Sequence, residues 1–115
     1  MTYVTINNQT IPANIVGSLR DQSWNNRESK SITVSMTYEE AKALFIDDIE
    51  WAIVYQEDSY INENGETVTP DPITYDNSEY SVAGPITDNR DGTVTVKMGK
   101  QTDSELLTIL EEAIK

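Results

Sequence analysis

The chain has 115 residues, carries 20 Asp and Glu against 8 Lys and Arg for a formal charge of −12, and contains neither Cys nor His. That length suits one domain able to bury a core without covalent staples. The missing Cys and His exclude disulfides, thiolate or imidazole metal sites, and nucleophiles of the Ser-His-Asp or Cys-His kind.

Tyr3-Val4-Thr5-Ile6 alternates, Asn7-Asn8 supplies a turn, and Thr10-Ile11 resumes before Pro12, which together predict a short opening hairpin. Met1 leads straight into this strand pattern, and no apolar run approaches the length of a membrane span. A soluble chain made in a cytoplasm, and carried elsewhere only within an assembly such as a virion, is therefore expected. Ile15 to Asp21 reads as a strand, Gln22 to Ser29 as a polar corner containing Trp24, and Lys30 to Met36 as a return strand with Ile32, Val34 and Met36 on one face. Thr37-Tyr38-Glu39-Glu40 is a capping box, and the helix after it, Tyr38 to Ile46, puts Ala41, Leu44 and Phe45 together.

The segment 51–77 follows. Asn64-Gly65 suggests a two-residue hairpin turn, with both positions at positive φ. Counting outward from Glu63 opposite Glu66 sets Ile61 against Val68, Gln56 against Ile73 and Val54 against Tyr75. Pro70 and Pro72 cannot donate to a ladder, so the second strand of this arm must be a sheet edge. At the root, Trp51 to Tyr55 is apolar on both faces, as a central strand requires. The tip is polar and acidic and should project, with Tyr60, Ile61 and Val68 as its apolar cluster and the expected contact surface for a partner.

After the arm the earlier order recurs. Glu79 to Asp88 predicts a strand with Tyr80, Val82 and Ile86 on one face, and Asn89 to Gly92 a turn. Thr93 to Met98 places Val94, Val96 and Met98 inward. Thr102-Asp103-Ser104-Glu105 is a second capping box, opening a helix with Leu106, Ile109, Leu110, Ala113 and Ile114 on one side. NRESKSITVSM from Asn26 and NRDGTVTVKM from Asn89 align with small insertions, and each precedes a Thr-capped helix. The expected fold is thus one α+β domain. It has a mostly antiparallel sheet built from two strand–corner–strand–helix pseudo-repeats, 15–46 and 79–114, with the hairpin arm 51–77 between them and the helices on one face.

Between Lys42 and Arg90 the chain has no base and eleven acids. Nucleic acid is a poor partner for such a surface, since binding it takes clustered cations. The adjacent acids Glu39/Glu40, Asp47/Asp48 and Glu111/Glu112 point about 100° apart on a helix and do not converge on one atom. The turn around Asp91-Gly92 lacks the first and last ligands of a calcium loop, where Thr87 and Met98 stand. No catalytic residue, cofactor or metal is expected. Arg27 and Arg90, each after Asn in an acidic chain, are candidates either for tying their corners to carboxylates or carbonyls, or for contacting a partner. Trp24 on a polar corner either folds back against the sheet or serves as an interface anchor.

The opening VTINNQTIP, the corner WNNRESKSITVSMTYEEA and the run YDNSEYSVAGPITDNRDGTVTVKMGK resemble small uncharacterised proteins of phages and prophages of low-GC Gram-positive bacteria, often encoded near tail genes. The resemblance implies a non-enzymatic structural or assembly protein of a tail or baseplate, acting on a protein partner or on further copies of itself, with no membrane involved. An alternative of another class is a soluble acidic inhibitor that imitates nucleic acid against the basic cleft of a host defence or nucleic-acid enzyme.

Overall fold

A computed structural model of the chain describes residues 1–113. In order they form β1 (Thr2–Ile6), β2 (Gln9–Asp21), β3 (Arg27–Val34), α1 (Tyr38–Leu44), β4 (Trp51–Tyr55), β5 (Tyr60–Ile61), β6 (Thr67–Val68), β7 (Ile73–Asp76), β8 (Val82–Asp88), β9 (Val94–Gly99) and α2 (Asp103–Ala113), with a 3-10 turn at Gln22–Trp24. Seven strands make one antiparallel sheet in the order β7-β4-β1-β2-β3-β9-β8, and β5 pairs with β6 alone. This is the α+β class that the alternating and 3.6-residue patterns predict. No helix among the described residues is long and apolar enough to cross a membrane.

The opening hairpin turns at Asn7 and Asn8, both at positive φ, so that Ile6 pairs with Gln9. Asn tolerates this left-handed geometry better than most residues. Pro12 does not end the strand. β2 runs unbroken to Asp21, its first residues paired to β1 and those from Ala13 onward to β3. Pro12 lies one residue beyond the Ala13–Val34 pair, where β3 has ended, so its missing N–H leaves no ladder bond unmade.

β3 and β9, which carry the related sequences, lie side by side. A shift of 62 residues carries Ile32 to Val94 and Val34 to Val96, and the ladder pairs Ile32 with Val96 and Val34 with Val94. The two strands are therefore related by a local two-fold axis through the Thr33–Thr95 pair, the reciprocal contact such symmetry demands. The two hydroxyls bond each other there at 2.9 Å. The Asn-Arg dipeptides do not share this equivalence: Arg27 opens β3 and is buried, whereas Arg90 sits exposed in the β8–β9 turn at positive φ.

β7 and β8 are the two edges of the sheet, yet only residues 77–81 join them. A flat sheet of seven strands would hold its edges about 29 Å apart, and a link of that length reaches about 20 Å. The sheet must curl, and its inward face becomes the core: Val4 and Ile6 of β1, Ala13 of β2, Ile32 and Val34 of β3, Trp51 and Ile53 of β4, and Val94, Val96 and Met98 of β9. Helix α1 adds Ala41 to it, and Phe45 joins from the helix's C-cap. In β8 a register shift between Ala83 and Ile86 breaks the simple alternation. Ala83, rather than the predicted Val82, consequently shares the inward side with Ile86.

The arm differs from its predicted register by one residue. Tyr60 pairs with Val68, Ile53 with Tyr75 and Tyr55 with Ile73. The turn is not the two-residue kind: Gly65 N donates to Asn62 O, only Gly65 has positive φ, and Asn62 N donates to Glu66 O. The Asn62 carboxamide oxygen also accepts from the N–H groups of Asn64 and Glu66. Asn at the first position of a type I turn closed by a left-handed Gly makes a three-residue loop, and that extra residue shifts every pair behind it.

Met98 is fully buried and Leu19 is 82% exposed. Met98→Ala is expected to cost about 2–5 kcal/mol in urea unfolding, whereas Leu19→Thr should stay within about 0.5 kcal/mol. Similar losses for the two would contradict this assignment of the inward face.

Candidate protein-binding surfaces

Trp24 folds back. The 3-10 turn that carries it is capped by the Asp21 side chain, which accepts from Ser23 N, and is released through Asn25 and Asn26 at positive φ. The ring lies on two glycines: a Cβ at Gly84 would stand 2.5 Å from its Cη2, and one at Gly99 2.8 Å from its Cζ3. The Arg27 guanidinium covers the ring at 4.6 Å from its centroid, in cation–π contact. Arg27 also donates to both Glu105 oxygens, at 2.6 and 3.0 Å, and to Lys100 O at 2.8 Å. It alternates with the inward Ile32 and Val34 and so lies on the opposite face of β3. Arg27 is thus buried and paired within the chain, and Trp24 is half-buried against the sheet.

This cluster is the root of α2. Thr102 accepts from Glu105 N at 3.3 Å while Glu105 accepts from Thr102 N at 2.8 Å, a complete capping box. At α1 the box is half made, since Thr37 accepts from Glu40 N and the Glu40 carboxylate takes the Thr37 hydroxyl rather than its N–H. Arg27, with Thr102 N–H behind it, holds the Glu105 carboxyl down at about 2, against its ordinary 4.5. Beyond the root the two helices part company. Ala41 of α1 and Phe45 at its C-cap are buried, whereas Leu106, Leu107, Ile109 and Leu110 of α2 are 49–60% exposed. Ile114 of the predicted apolar face lies outside the described residues, as does the side chain of Ala113.

A second polar cluster closes the curl. The Tyr80 hydroxyl donates to Glu28 at 2.6 Å, and the Lys30 and Lys100 ammoniums lie 4.6 and 5.2 Å from the ring centroid. Lys100 pairs with Glu28 at 3.1 Å, and Lys30 bonds Asn77. Burial, then the bond to Glu28, pushes the Tyr80 phenol up, while the same hydroxyl and Lys100 draw the Glu28 carboxyl down. A phenol so held keeps its proton, and the cluster acts as a latch between β3 and the 77–81 link.

The arm tip keeps its apolar groups outside. Tyr60 and Ile61 are 55% and 72% exposed and Val68 is half-buried. The observed register sets Tyr60 and Val68 on one face and Ile61 on the other, so the three do not make one cluster. Sequence reasoning missed Tyr55, Ile73 and Tyr75 as surface groups. They continue the inward row of Ile53 past the end of the core, exposed, with Tyr55 and Tyr75 edge-to-face at 5.7 Å. The alternation Trp51-Ile53-Tyr55 was the available signal. Of the eleven acids, Glu57, Asp58, Glu63, Glu66 and Asp71 lie between β4 and β7 on the arm. Asp47, Asp76 and Asp88 accept from the backbone N–H groups of Ala83, Ser78 and Arg90. Among the described residues no group of His, Cys, Asp and Glu is placed to hold a metal ion.

No protein-family model, curated protein or solved structure matches the chain.

Gly84→Ala is expected to push the Trp24 ring off its seat, shifting its fluorescence to longer wavelength and lowering Tm; unchanged emission would refute the cradle. The Glu105 carboxyl titrates below its unfolded value, so its tie to Arg27 is complete above about 4.5 and is lost as pH falls through about 2. Amide exchange in α2, taken relative to the pH-dependent intrinsic rate, should accelerate over that window. Glu105→Gln should accelerate it at neutral pH while leaving β3 and β9 protected. Exchange in α2 that ignores both changes would show that the ion pair does not hold the helix.

Proposed function

We propose that the chain is a non-enzymatic structural or assembly protein, of the phage tail or baseplate kind its sequence resembles, and that it works through protein–protein contacts. The observation that carries this reading is the projecting arm. β5 and β6 pair only with each other, the molecule measures 66 Å in its longest direction, and its radius of gyration is 17.3 Å against about 13 Å for a compact chain of this length. A lone two-stranded ribbon is marginal in water and adds nothing to the core. Ordering it is worthwhile where a second chain covers it. At its base β7 is a free edge, all four of its residues exposed, and can accept a partner's strand.

Replacing 58–72 with a short Gly-containing turn is expected to lower Tm little, because β4 and β7 remain paired in the sheet. The same change should abolish assembly with its partner, or with further copies, read by co-elution with tail proteins encoded beside it. A large loss of Tm would mean that the arm packs on the body; full assembly without the arm would overturn the reading.

A further inference from the structure

We propose that the exposed face of α2 is a docking surface for a basic amphipathic helix of another protein. This deepens the assembly reading by naming the chemistry of one partner, and it rests on a different element from the arm. At 100° per residue Leu106, Leu107, Ile109 and Leu110 span an apolar arc of about 160°, the width of a helix face made to be covered. All four side chains are nonetheless half exposed or more. The helix is anchored all the same. Arg27, itself buried on Trp24 and Gly99, grips Glu105 in a bidentate ion pair, and the capping box fixes the first turn. A helix anchored at its first turn and presenting a bare apolar face is half of a helix-in-groove contact.

The charges around that face select the occupant. Asp103 stands at its N-terminal end and Glu111 beside Leu107, both exposed, and α2 has no Lys or Arg from 103 to 113. Glu105, on the other flank, is already neutralised by Arg27. A second copy would bring the same acids and another −12 to the contact, with repulsion at every rim position. A helix with Leu-type anchors bordered by Lys or Arg would bury its apolar stripe and pair with Asp103 and Glu111. An anionic membrane surface is disfavoured by the same charges.

The test uses the full chain and a synthetic Leu/Lys amphipathic helical peptide, with a sequence-scrambled peptide of equal charge and a Leu/Glu peptide as controls. The intact chain is expected to bind the Leu/Lys peptide at least tenfold more tightly than either control. Binding should weaken at least threefold between 0.05 and 0.5 M salt. Leu107→Ser/Leu110→Ser should lose that binding at least tenfold with the Tm of the body unchanged. Equal binding of the scrambled peptide would reduce the effect to net charge and overturn the proposal, as would undiminished binding by the double variant. Light scattering that shows a dimer dissolved by the double substitution, or neutral-lipid vesicles bound through the same leucines, would assign the face to another occupant and also overturn it. The chain lacking 58–72 should bind the peptide as the intact chain does. Loss of assembly there with peptide still bound counts for the arm alone, and loss of peptide binding in the double variant counts for α2 alone.

Discussion

The constraint on which the fold turns is the short link from Asp76 to Val82. Two edge strands of a seven-stranded sheet are joined by fewer residues than a flat sheet allows, so the sheet closes over its own apolar face. Trp51 seals the closure by donating its indole N–H to Tyr80 O at 3.1 Å and meeting the Tyr80 ring edge-on at 6.4 Å. Tyr80 in turn reaches across to Glu28 of β3 between two ammonium groups. A core that would otherwise need a second layer of helices is covered by the sheet itself, with α1 filling one side.

That closure bears on the fate of the two helices. The Tyr80 link lies over the inward face of the Glu28–Lys30 end of β3. α2 is instead tethered through Arg27, on the other face of the same strand, and its leucines stay exposed. The two-fold relation through Thr33 and Thr95 holds for the paired strands, whereas the helices that follow them differ, Ala41 of α1 being buried and the leucines of α2 exposed. The surfaces left open, the arm and α2, are those that carry the assembly reading.

Both surfaces depend on small residues doing specific backbone work. Gly84 and Gly99 leave room for an indole on the outer face, which gives Arg27 a platform and α2 a fixed root. Gly65 accepts the left-handed position that closes the arm's loop, and Asn62 organises that loop through two side-chain bonds.

Local chemistry determined much of this protein in its sequence alone. The Asn7-Asn8 turn, the strands with Ile32, Val34, Val94, Val96 and Met98 inward, the Thr37 and Thr102 caps and the edge position of the strand after Pro72 all follow from turn geometry, alternation and missing donors. These act within a few residues, so a linear reading sees them. The rest was decided by contacts between residues far apart in the chain. Whether Trp24 faced solvent or sheet depended on glycines sixty and seventy-five positions away. Arg27 found its carboxylate 78 residues on. The leucines of α2 show the same periodicity as a core helix, and periodicity reports only that a face is apolar. What covers that face is set by the space that a closed sheet leaves.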